Sequence, residues 1–87
     1  MDGLERLRQR IARNPKNVRF ADLDRLLRGY GFDGRPGKGS HYYYRRGNQR
    51  ITVPFRRPHV LPTYVKLALK AIEQAEQEEQ NEREQES

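Results

Sequence analysis

The chain has 87 residues, 33% of them hydrophobic, no cysteine or tryptophan, and a net charge of +6. That leaves room for one small domain with a modest core and excludes a disulfide framework. No apolar run approaches the roughly 18 residues of a membrane span and the N-terminus has no apolar signal core, so the expectation is a soluble, cytoplasmic protein.

Leu4, Leu7 and Ile11 recur at helical spacing, which predicts an amphipathic helix from about Leu4 to Arg13, stopped by Asn14-Pro15. Phe20, Leu23, Leu26, Leu27 and Tyr30 predict a second helix over about 20–30. Asn17 is a candidate cap for it, Arg19 a poor one, and Gly31 suits the positive-φ position beyond its end. Three short strands follow: Phe32 to Arg35, His41 to Arg46 and Arg50 to Phe55. Pro36-Gly37-Lys38-Gly39 forms the first loop and Gly47-Asn48 the hairpin turn. Alternation places Tyr42 and Tyr44 inward with Ile51, Val53 and Phe55, and turns His41, Tyr43 and Arg45 outward. Leu61, Val65, Ala68, Leu69 and Ile72 predict a last helix with Pro62 in its first turn. Its apolar stripe is expected to end at Glu73, leaving a solvated helix or a disordered tail. The order gives an α+β fold: an additional helix over 1–13, an α-β-β-β-α domain over 14–72 with a three-stranded antiparallel sheet packed by helices, and an acidic tail over 73–87.

Charge is divided unevenly along the chain. Residues 1–72 hold 17 Lys and Arg against 5 Asp and Glu, a net of +12, whereas 73–87 hold Arg83 against 7 Glu, a net of −6. A strongly basic domain favours a polyanion, because neutralising phosphates releases counterions. Most of the basic residues are Arg, whose planar fork fits phosphate better than the point charge of Lys. The tail is expected to fold over the basic face and compete with that polyanion.

The working stretch is 37–46. Gly39 and Ser40 let backbone approach a ligand, Lys38 and the arginines Arg45, Arg46, Arg50, Arg56 and Arg57 suit phosphates, and Tyr43 suits base stacking. A histidine at a strand start is ordinarily a surface or packing residue. Here the company of Lys38, Gly39 and Ser40 makes His41 the candidate acid/base group. The chemistry is attack of a ribose 2′-hydroxyl on the adjacent phosphorus, with Arg or Lys stabilising the charge on the phosphoryl oxygens. It needs no metal or small-molecule cofactor, and two distant histidines without a carboxylate cluster offer no metal site. His59 reads as a loop residue before the last helix, with a second acid/base role open to it if that connection folds back towards His41.

Gly39-Ser40-His41, the aromatic strand, Arg50-Ile51-Thr52-Val53-Pro54 and the last amphipathic helix occur in an order that resembles the HicA family of toxins from bacterial and archaeal toxin–antitoxin systems. Asn14-Pro15-Lys16-Asn17-Val18-Arg19-Phe20-Ala21-Asp22-Leu23 and the exit from Leu26-Leu27 to Gly31-Phe32 extend the resemblance over about residues 14–72. It implies a fold similar to a double-stranded-RNA-binding domain and an mRNA-cleaving endoribonuclease that blocks translation. It also implies a HicB-like antitoxin as partner, covering the active site. The family's functional histidine falls on His41. Two positions depart from the family pattern: Tyr42 stands where many members carry a second histidine or another polar residue, and Arg19 where a capping residue is common. The alternative readings are a non-catalytic RNA-binding module of the same fold and a DNA-binding protein.

Overall fold

The structure, a computed structural model, describes residues 2–86; Met1 of the 1–13 segment and Ser87 of the acidic tail lie outside the described residues. Helix α1 spans Gly3–Arg13 and is capped by Asp2, whose carboxylate accepts the Glu5 N–H at 2.7 Å. Its buried residues are Leu7 and Ile11, four apart on one face. The chain leaves the helix at Asn14 and makes one 3-10 turn, Pro15–Asn17, before helix α2, Phe20–Gly29. Asn17 is therefore inside that turn and does not cap α2. The cap position belongs to Arg19, which makes no side-chain cap hydrogen bond. The exit of α2 is a Schellman motif: Gly31 has φ 90°, its N–H reaches the Arg28 carbonyl, and the Phe32 N–H reaches the Leu27 carbonyl.

The three strands, β1 (Asp33–Pro36), β2 (His41–Arg46) and β3 (Gln49–Pro54), form an antiparallel sheet in the order β1-β2-β3. β1 starts one residue later than its sequence suggests, because Phe32 drops into the core instead of pairing. Pro36 lies in the ladder rather than in the loop; β1 is an edge strand, where a missing N–H is tolerated. β3 starts one residue early and ends at Pro54, although the Phe55 N–H still donates to the Ser40 carbonyl at 2.7 Å.

Helices cover the face that carries Tyr44 and Val53, both buried. The Tyr44 hydroxyl donates to Asp24 of α2 at 2.7 Å. Asp24 in turn holds Arg28, and Arg28 reaches the Gly34 carbonyl of β1 at 3.0 Å. One side-chain chain thus ties β2, α2 and β1 together. Burial, and then the bond to Asp24, push the Tyr44 hydroxyl above the ordinary tyrosine pKa.

Helix α3, Pro62–Glu86, runs 25 residues. Val65, Ala68 and Ile72 are buried on it, each apolar side chain of Val or Ile size contributing about 1.5–3 kcal/mol. Leu61 does not begin this stripe: it precedes the helix and is exposed, while Val60 is buried and donates its N–H to the Val18 carbonyl. Nor does the stripe end at Glu73. Ala71 and Ala75 are also buried, Glu76 pairs with Arg8 at 3.0 Å, and Glu79 pairs with Arg46 at 2.6 Å. The acidic segment is the second half of a continuous helix, and its partners are Arg8, Arg46 and Gln49, so the expected folding over the outer basic face does not occur. Among the described residues no helix is long and apolar enough to cross a membrane.

Candidate nucleic-acid interface

The sheet face away from the helices is built by alternation and register. His41, Tyr43 and Arg45 of β2 point outward and are exposed, as do Arg50 and Thr52 of β3. Register sets them in rows: Arg35–Tyr43–Thr52 across the middle, Asp33–Arg45–Arg50 at one end, and His41–Pro54 at the other. His41 and Arg45 are four residues apart, about 13 Å along an extended strand. The face is therefore long enough to meet more than one phosphate of a strand.

The β1–β2 connection is tight where it meets His41. The Gly37 N–H donates to the His41 carbonyl at 2.7 Å, and the His41 N–H to the Lys38 carbonyl at 3.2 Å. Gly39 has φ 60°, and its Cβ position is open space, so this turn needs glycine for its backbone angle rather than for room. Gly37 is required for the opposite reason. The Tyr43 ring lies against its backbone, and a Cβ there would sit 2.1 Å from that ring. Tyr43 is thus held against the loop with 47% of its surface still exposed. Hollows of 360 and 320 Å³ flank it, the first lined with Asp33, Arg35 and Arg45, the second with Arg45, Arg50 and Thr52. A held ring between arginine-lined hollows suits base stacking beside phosphate contacts.

Lys38, Gly39, Ser40 and His41 come together at one end of the sheet, and the bond from Phe55 to Ser40 brings Arg56 and Arg57 to that same end. Among the described residues, Lys38, Arg35, Arg45, Arg50, Arg56 and Arg57 have no carboxylate within ion-pair distance. Their charge is free to meet a polyanion.

Arg46 is a correction. It shares the inward parity of Tyr42 and Tyr44, is half-buried, and donates to the Tyr30 carbonyl at 2.7 Å as well as pairing with Glu79. It fastens β2 to α2 and α3 and does not reach the outer face. His59 lies half-buried in the connection to α3; its carbonyl accepts a long 3.4 Å contact from Arg56, and no hydrogen bond joins it to His41. Arg35 belongs to the outer face by its pairing with Tyr43, and sequence reasoning missed it. The parity of a correctly registered β1 is the signal that finds it.

Compared with protein-family models, curated proteins and solved structures, the chain matches none.

Proposed function

We propose that this protein is a HicA-like endoribonuclease, the toxin of a type II toxin–antitoxin system, that cleaves mRNA in the cytoplasm without a metal. In this reading α2-β1-β2-β3-α3 is a fold similar to a double-stranded-RNA-binding domain, and α1 is an addition to it. The observation that carries the proposal is the exposed His41 at the mouth of the glycine turn, on a sheet face whose arginines have no carboxylate partners among the described residues. His41 takes the proton of a ribose 2′-hydroxyl, or gives one to the 5′-oxygen. The O2′–P bond forms, the P–O5′ bond breaks, and the products end in a 2′,3′-cyclic phosphate and a 5′-hydroxyl. Lys38 and the arginines stabilise the phosphoryl oxygens as charge develops. A HicB-like antitoxin neutralises the enzyme by covering this face.

One observation favours the alternative of a non-catalytic RNA-binding module: among the described residues no side chain is hydrogen-bonded to His41 to orient it. Induced expression separates the two. The toxin reading predicts that wild type arrests growth and fragments cellular mRNA, while His41→Ala, folded by circular dichroism, does neither. Equal growth and intact mRNA in both cultures would reject the toxin reading in favour of a binding module.

A further inference from the structure

The hollow at the His41 end of the molecule has a construction that the outer sheet face lacks. It measures 420 Å³ and is lined by Arg19, Phe20 and Ala21 from the start of α2 and by Phe55, Arg56, Arg57 and Pro58 from the segment after β3. Its walls are aromatic: Phe20 and Phe55 meet edge to face at 5.1 Å, and the Arg57 guanidinium lies over the Phe55 ring at 5.4 Å. Its charge is three guanidiniums, none with a carboxylate in ion-pair distance among the described residues. Three like charges around one hollow repel one another unless an anion joins them.

Arg19 makes the case sharper. It occupies the cap position of α2 with extended backbone angles, φ −76° and ψ 147°, and supplies no cap bond. A Ser or Asp there would satisfy a helix N–H, so the position sacrifices local stability for a charge that faces the hollow.

The segment that lines the hollow also adjoins the backbone of the proposed catalytic residue. Phe55 donates to the Ser40 carbonyl, and Pro54 lies opposite His41 in the ladder. We propose that this hollow is a nucleotide subsite. It holds the base of the RNA nucleotide next to the cleaved bond against Phe20 and Phe55, and that nucleotide's phosphate between Arg19, Arg56 and Arg57. The inference rests on the RNA reading above and adds Arg19, Phe20 and Phe55 to the residues that carry it. Planar forks suit a phosphate and a carboxylate alike, but flat rings beside them suit a base, which favours a nucleotide over an acidic peptide.

The test uses the full chain as His41→Ala, so that RNA stays uncut, in an NMR titration with a single-stranded uridine heptamer and, separately, a glutamate heptapeptide. The subsite predicts that the RNA shifts Ala21, Phe55 and Arg57 together with Tyr43 and Arg45. It also predicts that adding Arg19→Ser weakens RNA binding about tenfold, the worth of one charge-assisted hydrogen bond, with no fall in melting temperature. Shifts confined to Tyr43, Arg45 and Arg50 overturn the subsite and leave the RNA reading standing. Shifts of the hollow by the peptide but not by the RNA overturn it in favour of an acidic protein segment. No RNA shift anywhere overturns both the RNA reading and the subsite.

Discussion

Arg46 donates to the Tyr30 carbonyl and pairs with Glu79, whereas Arg45, one residue earlier, stands on the outer face with no carboxylate partner among the described residues. The two therefore separate in measurement. Arg46→Ala loses about 1–2 kcal/mol in urea denaturation, after screening of the half-exposed Glu79, and leaves the salt dependence of RNA binding unchanged. Arg45→Ala leaves stability unchanged and lowers the salt slope by about 0.7, one phosphate contact on a single strand. The distinction was available in the sequence, since parity along β2 puts Arg46 with Tyr42 and Tyr44; counting arginines as a cluster obscured it. Tyr44 gives a second test. Its folded-state pKa is raised above the ordinary value of about 10. The folded protein binds that proton more tightly than the unfolded chain. The resulting stability is complete below pH ~10 and is lost as the pH rises beyond it. Tyr44→Phe costs about 1–2 kcal/mol at neutral pH, through the lost bond to Asp24, and flattens the alkaline fall in a stability–pH profile.

At the scale of elements, periodicity carried most of the fold. Three helices, three strands and the Gly47-Asn48 turn occur in the order that spacing and turn residues predict, with strand bounds shifted by a residue or so and α3 running on to Glu86. The misses share one physical cause, which is that tertiary packing decided the residue. Phe32 reads as the first residue of a strand but is buried in the core. Ala75 reads as solvated among Glu and Gln, because alanine says little about burial until a neighbouring surface is known. In α3 the buried residues, among those described, stop at Ala75, and Glu79, one turn further on, pairs with Arg46. The second half of α3 also carries its glutamates toward the carbonyl end, against the helix dipole. Removing residues 81–87 is accordingly expected to change unfolding free energy by less than about 0.5 kcal/mol. Amide exchange should show the matching gradient, slow over 65–75 and fast beyond 80. Uniform protection along α3 would contradict it.

Across the whole molecule, the basic sheet face and the acidic half of α3 are separate surfaces: Arg46 and Gln49 of the sheet meet Glu79 and Glu78, and Arg8 of α1 meets Glu76. Charge asymmetry in the sequence signalled both surfaces but not their placement, because a count carries no direction. Placement makes a prediction that a folded-over tail would not make. The Debye length is about 8 Å at physiological salt and about 30 Å at 0.01 M. The 81–87 truncation should therefore leave RNA affinity unchanged at physiological salt and tighten it only at low salt. Tightening at both would place the acidic residues on the RNA face after all.

The central claim is that His41 cuts RNA through its own 2′-hydroxyl. The most direct measurement incubates purified wild type and His41→Ala with one labelled RNA, and with the same RNA bearing 2′-deoxy sugars, in the presence of a metal chelator. The account predicts fragments ending in 2′,3′-cyclic phosphate from wild type on the all-ribose strand, a rate lower by about 10²–10⁴ for His41→Ala, and no cleavage of the 2′-deoxy strand. Equal cutting by both proteins, cutting of the 2′-deoxy strand, or an all-ribose strand that both proteins bind and neither cuts would contradict it.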